Sequence, residues 1–367
     1  MTFYDEIQKH NWEEVSKQIY NKTANDVKVA LRKDKLTIHD FQALISPAAE
    51  PFLEQMAQKS MQLTQKRFGK TIQFYAPMYL SNACTNSCIY CGFNHNNIFE
   101  RTILNKKQML KDADIIAKLG FEHILLVTGE SNKDCGVDYI KDMMESLRDK
   151  FSLISIEVQP LKTEEYKILT ESGLNTVYVY QETYNEDNYK IYHPKGKKSN
   201  YRYRLETPDR LGEAGVHKIG LGCLIGLEDW RVDTYFTALH LNYLEKKYWQ
   251  TKYTLSFPRL RPHMGSFEPN YKSTQRNLLQ LICAYRLFNE QVEISLSTRE
   301  NADFRDHALK LGVTSYSAGS KTNPGGYSEK ETVGQFSVHD DRTPNEVASA
   351  IRKNGYEVIW KDWSSYM

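Results

Sequence analysis

A regular alternation of short apolar segments with amphipathic ones, from residue 73 to residue 317, most constrains the fold of this chain. Each apolar segment has the length of a strand, and most of the amphipathic segments between them end at a glycine, as helices do. Such alternation produces parallel strands joined by right-handed crossovers. It predicts an α/β protein in which eight units close into a (β/α)8, TIM-type barrel. The predicted strands are 73–80, 123–127, 152–158, 175–181, 217–224, 252–257, 292–297 and 313–317.

The main alternative is an open, doubly wound sheet that binds a dinucleotide. Its fingerprint is G-x-G-x-x-G, in which three glycines let the backbone approach a pyrophosphate. The glycine-rich stretch 220–226 has Ile225 where the last glycine should stand. The barrel is therefore the favoured fold.

The chain divides into three predicted regions, which are an N-terminal helical extension over 1–70, the barrel over 71–318 and a C-terminal capping segment over 319–367. In the extension, Thr37 is expected to cap a helix with Asp40 three residues later, and Pro47 to open a longer helix. The capping segment has one more predicted helix, 345–354, and an aromatic end, 360–366.

Composition excludes several partners. Basic and acidic residues number 48 and 46, so the net charge of +2 favours neither nucleic acid nor an anionic membrane. We expect the basic loop 195–198 to be solvated rather than to bind RNA. The chain has no apolar window long enough to span a bilayer, and its first residues do not resemble a secretory signal. These features, with only 6 Cys, predict a protein of the reducing cytoplasm.

Three cysteines, Cys84, Cys88 and Cys91, follow the first predicted strand with the spacing C-x3-C-x2-C. Three thiolates leave one metal position open, and an open position is where a substrate binds. A [4Fe–4S] cluster is one interpretation, and a structural Cys3His zinc site that includes His95 is another. Zinc ligands usually come in two separated pairs, whereas these lie in one loop, so the spacing favours iron–sulfur.

Polar side chains follow nearly every predicted strand, at the barrel end where enzymes of this fold place their chemistry. Each of them alone is weak evidence, because strand ends meet solvent in any case. They are Gly129 and Glu130, Glu157 and Gln159, Gln181 and Glu182, Gly222 to Glu228, Arg259 and Arg261, Thr298 and Arg299, and Ser317, Ser320 and Lys321.

The cysteine spacing, with aromatic Tyr90 before the last cysteine, resembles the radical S-adenosylmethionine (SAM) enzymes. Eight phrases in order are similar to the tyrosine lyases of bacterial thiamin biosynthesis, the 2-iminoacetate (dehydroglycine) synthases. They are LSNACTNSCIYCGF (80–93), GFEHILLVTGE (120–130), EVQPL (157–161), VYQETY (179–184), RLETPDRLG (204–212), SFPRLRP (256–262), LSTRE (296–300) and SKTNPGGY (320–327).

The resemblance implies a reaction. A [4Fe–4S] cluster would bind SAM at its open iron and reduce it to methionine and a 5′-deoxyadenosyl radical. The radical would take hydrogen from L-tyrosine, whose Cα–Cβ bond then breaks to give p-cresol and 2-iminoacetate. Thiazole synthase is the implied protein partner, and a flavodoxin- or ferredoxin-type protein the implied electron donor.

The resemblance also implies roles for single residues, beginning with Cys84, Cys88 and Cys91 as the cluster ligands. For SAM it implies that Gly129 and Glu130 hold the amino group, that Glu182 faces the ribose, and that Arg204 pairs with the carboxylate. Tyr90 and Gly226 complete the SAM site, with Gly226 in the stretch that contacts adenine. Arg299 would hold the tyrosine carboxylate and Ser317 would face the same substrate. No catalytic residue is assigned beyond the cluster.

Three alternatives stay open. The tyrosine lyase of hydrogenase cofactor assembly starts the same reaction but needs a second, C-terminal cluster, and this sequence has no cysteine after Cys283. A related lyase acting on tryptophan is the second. A zinc-stabilised, non-catalytic barrel that binds a partner is the third.

Overall fold

The structure is a computed structural model and describes residues 2–329 and 333–361. Within those residues eight parallel strands close into the predicted barrel, because each pairs with the next and the eighth and second both pair with the first. The strands are β1 Thr71–Ser81, β2 His123–Thr128, β3 Leu153–Glu157, β4 Leu174–Tyr178, β5 Lys218–Gly222, β6 Lys252–Ser256, β7 Glu293–Leu296 and β8 Ser315–Ser317, and a further strand, β9 Glu357–Ile359, lies beside the start of β1.

Helices precede the barrel, connect its strands and follow it. The helices of the N-terminal region are α1 Phe3–Ile7, α2 Trp12–Tyr20, α3 Ala24–Arg32, α4 Ile38–Ile45 and α5 Leu53–Phe68. Those between and after the barrel strands are α6 Lys106–Lys118, α7 Val137–Glu145, α8 Thr163–Glu171, α9 Glu186–Tyr192, α10 Tyr201–Leu205, α11 Thr207–Glu213, α12 Trp230–Lys247, α13 Gln275–Phe288, α14 Ala302–Ala308 and α15 Pro344–Lys353. None of the helices in the described ranges is long and apolar enough to cross a bilayer.

Helix starts were predicted with mixed success. The capping box of Thr37 and Asp40 is confirmed at the start of α4. The prediction that Pro47 opens the longer helix is wrong, because residues Pro47–Phe52 form a 3-10 helix and α5 begins at Leu53. Pro51 explains the delay, since proline lacks the N–H that an α-helix needs and disfavours helical geometry in the residue before it.

Two glycines of β5 make room for aromatic side chains inside the barrel. A Cβ on Gly220 would lie 2.2 Å from the ring of Tyr178, and one on Gly222 would lie 2.0 Å from the carbonyl oxygen of Ser256 and 3.0 Å from the ring of Tyr180. Any larger residue at these positions would displace the tyrosines or the neighbouring strand. The barrel therefore has a cavity at its open end instead of a fully packed interior.

The C-terminal region reaches both ends of the barrel. Gln335 and Phe336 border the cavity at the carboxyl ends of the strands. Beyond α15 the chain returns to the opposite end, where the Trp360 ring packs 5.0 Å from the Phe74 ring and 5.3 Å from the Phe121 ring, measured between centroids. The rest of the predicted aromatic end, residues 362–366, lies outside the described residues.

Candidate active site

The cysteine loop follows β1 directly and opens into the cavity at the carboxyl ends of the strands. Cys84, Cys88 and Cys91 all border that cavity, with Cys88 buried and the other two partly buried. Other segments hold the loop by its backbone: Thr85 N–H donates to the Glu130 carbonyl at 3.0 Å and Ser87 N–H to the Lys195 carbonyl at 3.0 Å. The position of the thiols is thus set by neighbouring elements of the barrel and not by the loop alone.

The three thiols suit an iron–sulfur cluster. Burial raises the pKa of Cys84 and Cys88, and it raises the pKa of Cys91 to about 11, so the thiols are protonated until a metal displaces their protons. Among the described residues no three His, Cys, Asp or Glu side chains converge on a point where one ion could bind. A [4Fe–4S] cluster needs no such convergence, because each thiolate binds a different iron.

His95, the fourth ligand of the zinc alternative, has another contact. Its Nδ1 lies 3.2 Å from the carbonyl oxygen of Cys84, and its ring is exposed. Its backbone N–H donates to the Asn86 carbonyl at 2.8 Å. His95 is therefore placed to support the backbone of the cysteine loop.

Two acids and two bases beside the cysteines form what we call the charged corner: Glu130, Glu182, Lys198 and Arg204. The Arg204 guanidinium donates to Glu130 Oε1 at 2.8 Å and to the Tyr180 carbonyl at 2.7 Å, and its other terminal nitrogen lies 3.7 Å from Glu182 Oε1. Lys198 Nζ donates to Glu182 Oε1 at 2.7 Å. The corner therefore brings together three residues predicted for SAM and one that was not.

Neighbouring charges keep Glu130 and Lys198 of this corner ionised. Burial alone would raise the pKa of Glu130, but Arg204 and Lys198 outweigh it and the net pKa is lowered. Burial and Arg204 would lower the pKa of Lys198, but Glu182 and other acidic groups outweigh them and the net pKa is raised. Asn86 links the corner to the cysteine loop, since its side-chain amide donates to Glu130 Oε2 at 2.8 Å and its Oδ1 accepts from Lys198 N–H at 2.9 Å.

Lys198 corrects the sequence interpretation of loop 195–198. Lys195 and Lys197 are exposed as expected, but the Lys198 side chain lies inside the cavity. Gly196 permits this path, because a Cβ there would lie 2.2 Å from Asn86 Oδ1 and its φ of +97° suits glycine. The charge pattern could not separate Lys198 from its solvated neighbours, since its side chain is held by Glu182 and its backbone N–H by the distant Asn86.

Backbone strain marks the corner as well. Glu182 has a φ of +70°, and it is the one non-glycine residue of the described ranges with a positive φ. L-residues adopt this region at a cost, which surrounding contacts must offset. Gly129 also has a steric reason to be glycine, because a Cβ there would lie 2.3 Å from the Ala83 carbonyl oxygen at the start of the cysteine loop.

The other two residues predicted for SAM differ in position. Tyr90 borders the cavity, and its hydroxyl donates to His193 Nε2 at 2.7 Å, because His193 Nδ1 donates to the Tyr189 carbonyl at 2.9 Å. Gly226 has a φ of +120° in the turn after β5 and does not itself border the cavity. Leu224 from the same stretch does.

Two charged side chains in the cavity have no ion-pair or hydrogen-bond partner within the described part of the chain, namely Glu157 and the guanidinium of Arg299. The guanidinium carbon of Arg299 lies 3.3 Å from the centroid of the Phe336 ring, and burial lowers the Arg299 pKa. Ser317 borders the cavity nearby, where its Oγ accepts from Thr298 N–H at 3.2 Å.

Not all of the polar residues at the strand ends reach the cavity. Gln159 is buried and donates to the Cys135 carbonyl at 2.6 Å, and Arg259 pairs with Glu300. Sequence reasoning also missed residues that do line it, chiefly Tyr75, Tyr79, Tyr178, Tyr180 and Gln335. The tyrosines had a usable signal, since they stand two or four positions apart and side chains at that spacing share one face of a strand.

Comparisons with known proteins agree with this geometry. The radical SAM superfamily model matches residues 78–238, and the biotin and thiamin synthesis associated domain matches residues 256–357. The chain is 49% identical over 368 residues to 2-iminoacetate synthase of Escherichia coli (strain K12), covering 100% of this chain and 98% of that one. The enzyme of the same name from Salmonella typhimurium is also 49% identical, with the same coverage.

Among solved structures, HydG, a maturase of the [FeFe]-hydrogenase, superimposes with a TM-score of 0.90 at 30% identity, covering 95% of this chain and 80% of that chain. Methylornithine synthase superimposes with a TM-score of 0.74 at 18% identity, which speaks for the barrel fold alone.

Proposed function

Because this chain belongs to the 2-iminoacetate synthase family of radical SAM enzymes, we propose that it cleaves the Cα–Cβ bond of L-tyrosine to 2-iminoacetate and p-cresol. One observation carries the proposal within the site. The three thiols of the cluster loop open into the same cavity as Arg299, a partly buried guanidinium that forms no ion pair with a residue of the described ranges. A cavity that holds both is suited to generate a radical beside an amino-acid carboxylate.

The [4Fe–4S] cluster and SAM would supply the radical that takes hydrogen from tyrosine. Cys84, Cys88 and Cys91 are the proposed cluster ligands, and Tyr90 packs beside them. Walls of the barrel on most sides and Phe336 above Arg299 would keep water from that radical, which reacts with any available hydrogen donor.

The charged corner is the proposed site for the methionyl part of SAM. Glu130 offers a carboxylate for the amino group, with Gly129 beside it, and Arg204 offers a guanidinium for the carboxylate. Glu182 is assigned to the ribose and Gly226, with its neighbour Leu224, to the adenine. Glu130 and Arg204 are already fixed by each other, so their geometry is preorganised before SAM arrives.

Tyrosine is proposed to bind between Arg299 and the deeper part of the barrel. Arg299 would take its carboxylate as a bidentate partner, and Ser317 would lie beside it. The tyrosine-lined interior, which Gly220 and Gly222 make possible, would receive the aromatic ring. This pocket supports an aromatic amino acid as the substrate class.

Two protein partners and a compartment belong to the same proposal. The product 2-iminoacetate hydrolyses readily, which supports direct transfer to thiazole synthase as the consumer. The cluster requires a low-potential electron, which supports a flavodoxin- or ferredoxin-type donor. Both partners are cytoplasmic, and we place this chain with them.

The proposal is tested by anaerobic incubation of the reconstituted protein with SAM, a reductant and either tyrosine or tryptophan. We expect p-cresol and 5′-deoxyadenosine from tyrosine, and no indole-derived product from tryptophan. Deoxyadenosine formed only with tryptophan would overturn the substrate assignment. Reconstituted protein should contain about four iron and four sulfide per chain, whereas one zinc and no sulfide would support the non-catalytic alternative.

A further inference from the structure

Glu157 is a charged residue of the cavity that no role above uses. It is the last residue of β3, in a strand that is otherwise apolar at this end, and its side chain faces the interior of the barrel. Within the described part of the chain its carboxylate makes no hydrogen bond or ion pair, although the side chain is partly buried and a carboxylate withdrawn from water without a partner is costly. Such a group is expected to meet a partner that only the substrate supplies.

Its depth distinguishes Glu157 from the other carboxylates of the cavity. Glu157 is level with Val127 of β2, whereas Glu130 comes three residues later, beyond the end of that strand, so Glu157 lies deeper in the barrel than Glu130. Arg299 comes three residues after the end of β7, a strand four positions away from β3 in the closed order and thus on the opposite side. The carboxylate therefore lies deep and across from the guanidinium.

This placement matches the shape of tyrosine. An amino acid whose carboxylate is bound by Arg299 keeps its ammonium group one atom away, near the mouth of the barrel. Its phenol hydroxyl is at the far end of the molecule, directed into the barrel. Glu157 lies among Tyr75, Tyr79, Tyr178 and Tyr180, where that ring would enter.

We propose that Glu157 accepts the phenolic proton of tyrosine as the Cα–Cβ bond breaks. The phenolic O–H bond breaks, a bond forms between that proton and a carboxylate oxygen of Glu157, and the electron pair stays on the phenolic oxygen. There it delocalises into the aromatic fragment that leaves. The fragment becomes p-cresol when its benzylic carbon gains one electron from the low-potential donor proposed above and one proton from solvent. The proton on Glu157 then returns to the phenolic oxygen, so Glu157 ends each cycle ionised. This inference rests on the proposed function and names the proton acceptor within it.

The other groups of the cavity suit this role less well. Glu130 and Glu182 are held in ion pairs at the mouth. Burial raises the pKa of each tyrosine of the cavity, so their hydroxyls stay protonated. A protonated phenol is a poor proton acceptor. Burial, together with Glu182, raises the pKa of Glu157 to about 7, which is the range in which a general base is most effective near neutral pH.

The test compares Glu157→Gln with the unaltered enzyme, both reconstituted with cluster and SAM, on tyrosine and on ring-fluorinated tyrosines whose phenols are progressively more acidic. General bases contribute about 100-fold to 10,000-fold, so p-cresol formation from tyrosine should fall by at least about 100-fold in Glu157→Gln. A more acidic phenol is ionised to a larger extent in solution and can bind with its proton already lost, so the fluorinated substrates should progressively restore the rate. The unaltered enzyme should show little dependence on phenol acidity.

A loss of the same size for tyrosine and every fluorotyrosine would overturn the proposal. A raised KM with an unchanged kcat would also overturn it, because it would assign Glu157 to the ammonium group. Glu157→Asp keeps a carboxylate and should show an intermediate rate and dependence, which serves as the test if Glu157→Gln does not fold. Glu171→Gln, at an exposed carboxylate of α8, is the matched control and should change nothing. The unaltered enzyme forming p-cresol separates this outcome from a failure of the proposed function.

Discussion

Two regions of the cavity hold their charges in opposite ways. In the charged corner each acid and base has its partner inside the protein, as Glu130 with Arg204 and Glu182 with Lys198 show. Elsewhere in the cavity, Glu157 and Arg299 have none within the described residues. A buried charge without a partner is unfavourable, so it is retained where a ligand completes it.

The difference suggests two designs for binding. The paired corner exists before any ligand arrives and gains stability from its own contacts. The unpaired charges lower the stability of the free enzyme, but they strengthen substrate binding because they are neutralised only when the substrate is bound. Substitutions should therefore damage the first region mainly through folding and SAM binding, and the second mainly through tyrosine.

The largest expected effect comes from loss of the iron–sulfur cluster, because the reaction in both regions depends on it. Cys88→Ala removes a proposed cluster ligand and should abolish deoxyadenosine formation, together with the brown colour of the reconstituted protein. Cys283→Ala is the matched control, since this thiol is buried in α13 outside the cavity and contacts the Leu311 carbonyl at 3.7 Å. Retained SAM cleavage in Cys88→Ala would contradict cluster ligation.

Arg204→Ala should damage the paired corner severely. It leaves Glu130 buried without its arginine, and breaking a buried ion pair costs roughly 3–5 kcal/mol of unfolding free energy. SAM binding should be lost as well, as isothermal titration of the reconstituted protein can show. The control is Arg202→Ala, two residues away on the same helix but exposed, where unfolding and SAM binding should stay unchanged. An unaltered free energy of unfolding in Arg204→Ala would show that the charged corner does not gain stability from its own ion pairs.

Arg299→Ala should weaken tyrosine binding and leave the stability of the fold nearly unchanged, which is the opposite of the result expected for Arg204→Ala. Hydrogen bonds to a charged group contribute about 1.5–3 kcal/mol, so the dissociation constant of tyrosine should rise about 10-fold to 100-fold. SAM binding should not fall and thermal stability should change little, because the internal contact that is lost is the packing of the guanidinium on the Phe336 ring and not an ion pair. Arg299→Lys keeps the charge without the planar fork and should be intermediate. An equal loss of tyrosine and SAM affinity would remove the distinction between the regions.

Those parts of the structure that depend on local pattern were predictable. Apolar runs bounded by helices predicted all eight barrel strands to within a few residues, and the cysteine spacing indicated the metal site. The short α9 and β9 were missed, because seven and three residues carry too little periodicity. The amphipathic segment before β5 forms two helices, α10 and α11, instead of one continuous helix, with the break one residue before the Thr207–Pro208 pair.

The pairing of charges was not predictable, because it depends on contacts between residues far apart in sequence. Glu130 and Arg204 are separated by 74 positions, and nothing near either residue identifies the other. Glu157 had a partial signal as the one charge in the apolar segment 152–158. That signal could not show whether its carboxylate met an internal partner, which decides its role.

The smallest expected effect concerns the pH dependence of the unpaired region. Burial is the largest influence on Glu157 and Glu182 adds to it, while Arg299, Lys198 and Arg204 oppose them, and the resulting pKa is about 7. The proton acceptor must be ionised to act, so the ratio of p-cresol to deoxyadenosine should rise with pH through that value. Between pH 6 and pH 8 the ionised fraction of such a group grows about tenfold.

The groups that face Glu157 limit what else can produce this rise. They are Tyr75 and Tyr79 from β1, Tyr178 and Tyr180 from β4 and just after it, Glu182 and Lys198 from the following loops, Arg204 from α10 and Arg299 after β7. Burial raises the pKa of each of these tyrosines above its usual value near 10, and the bases stay protonated below pH 8, so neither set titrates in the window. Glu157→Gln should therefore flatten the profile between pH 6 and pH 8. If the ratio of p-cresol to deoxyadenosine still rises with pH in that variant, Glu157 is not the group that accepts the phenolic proton.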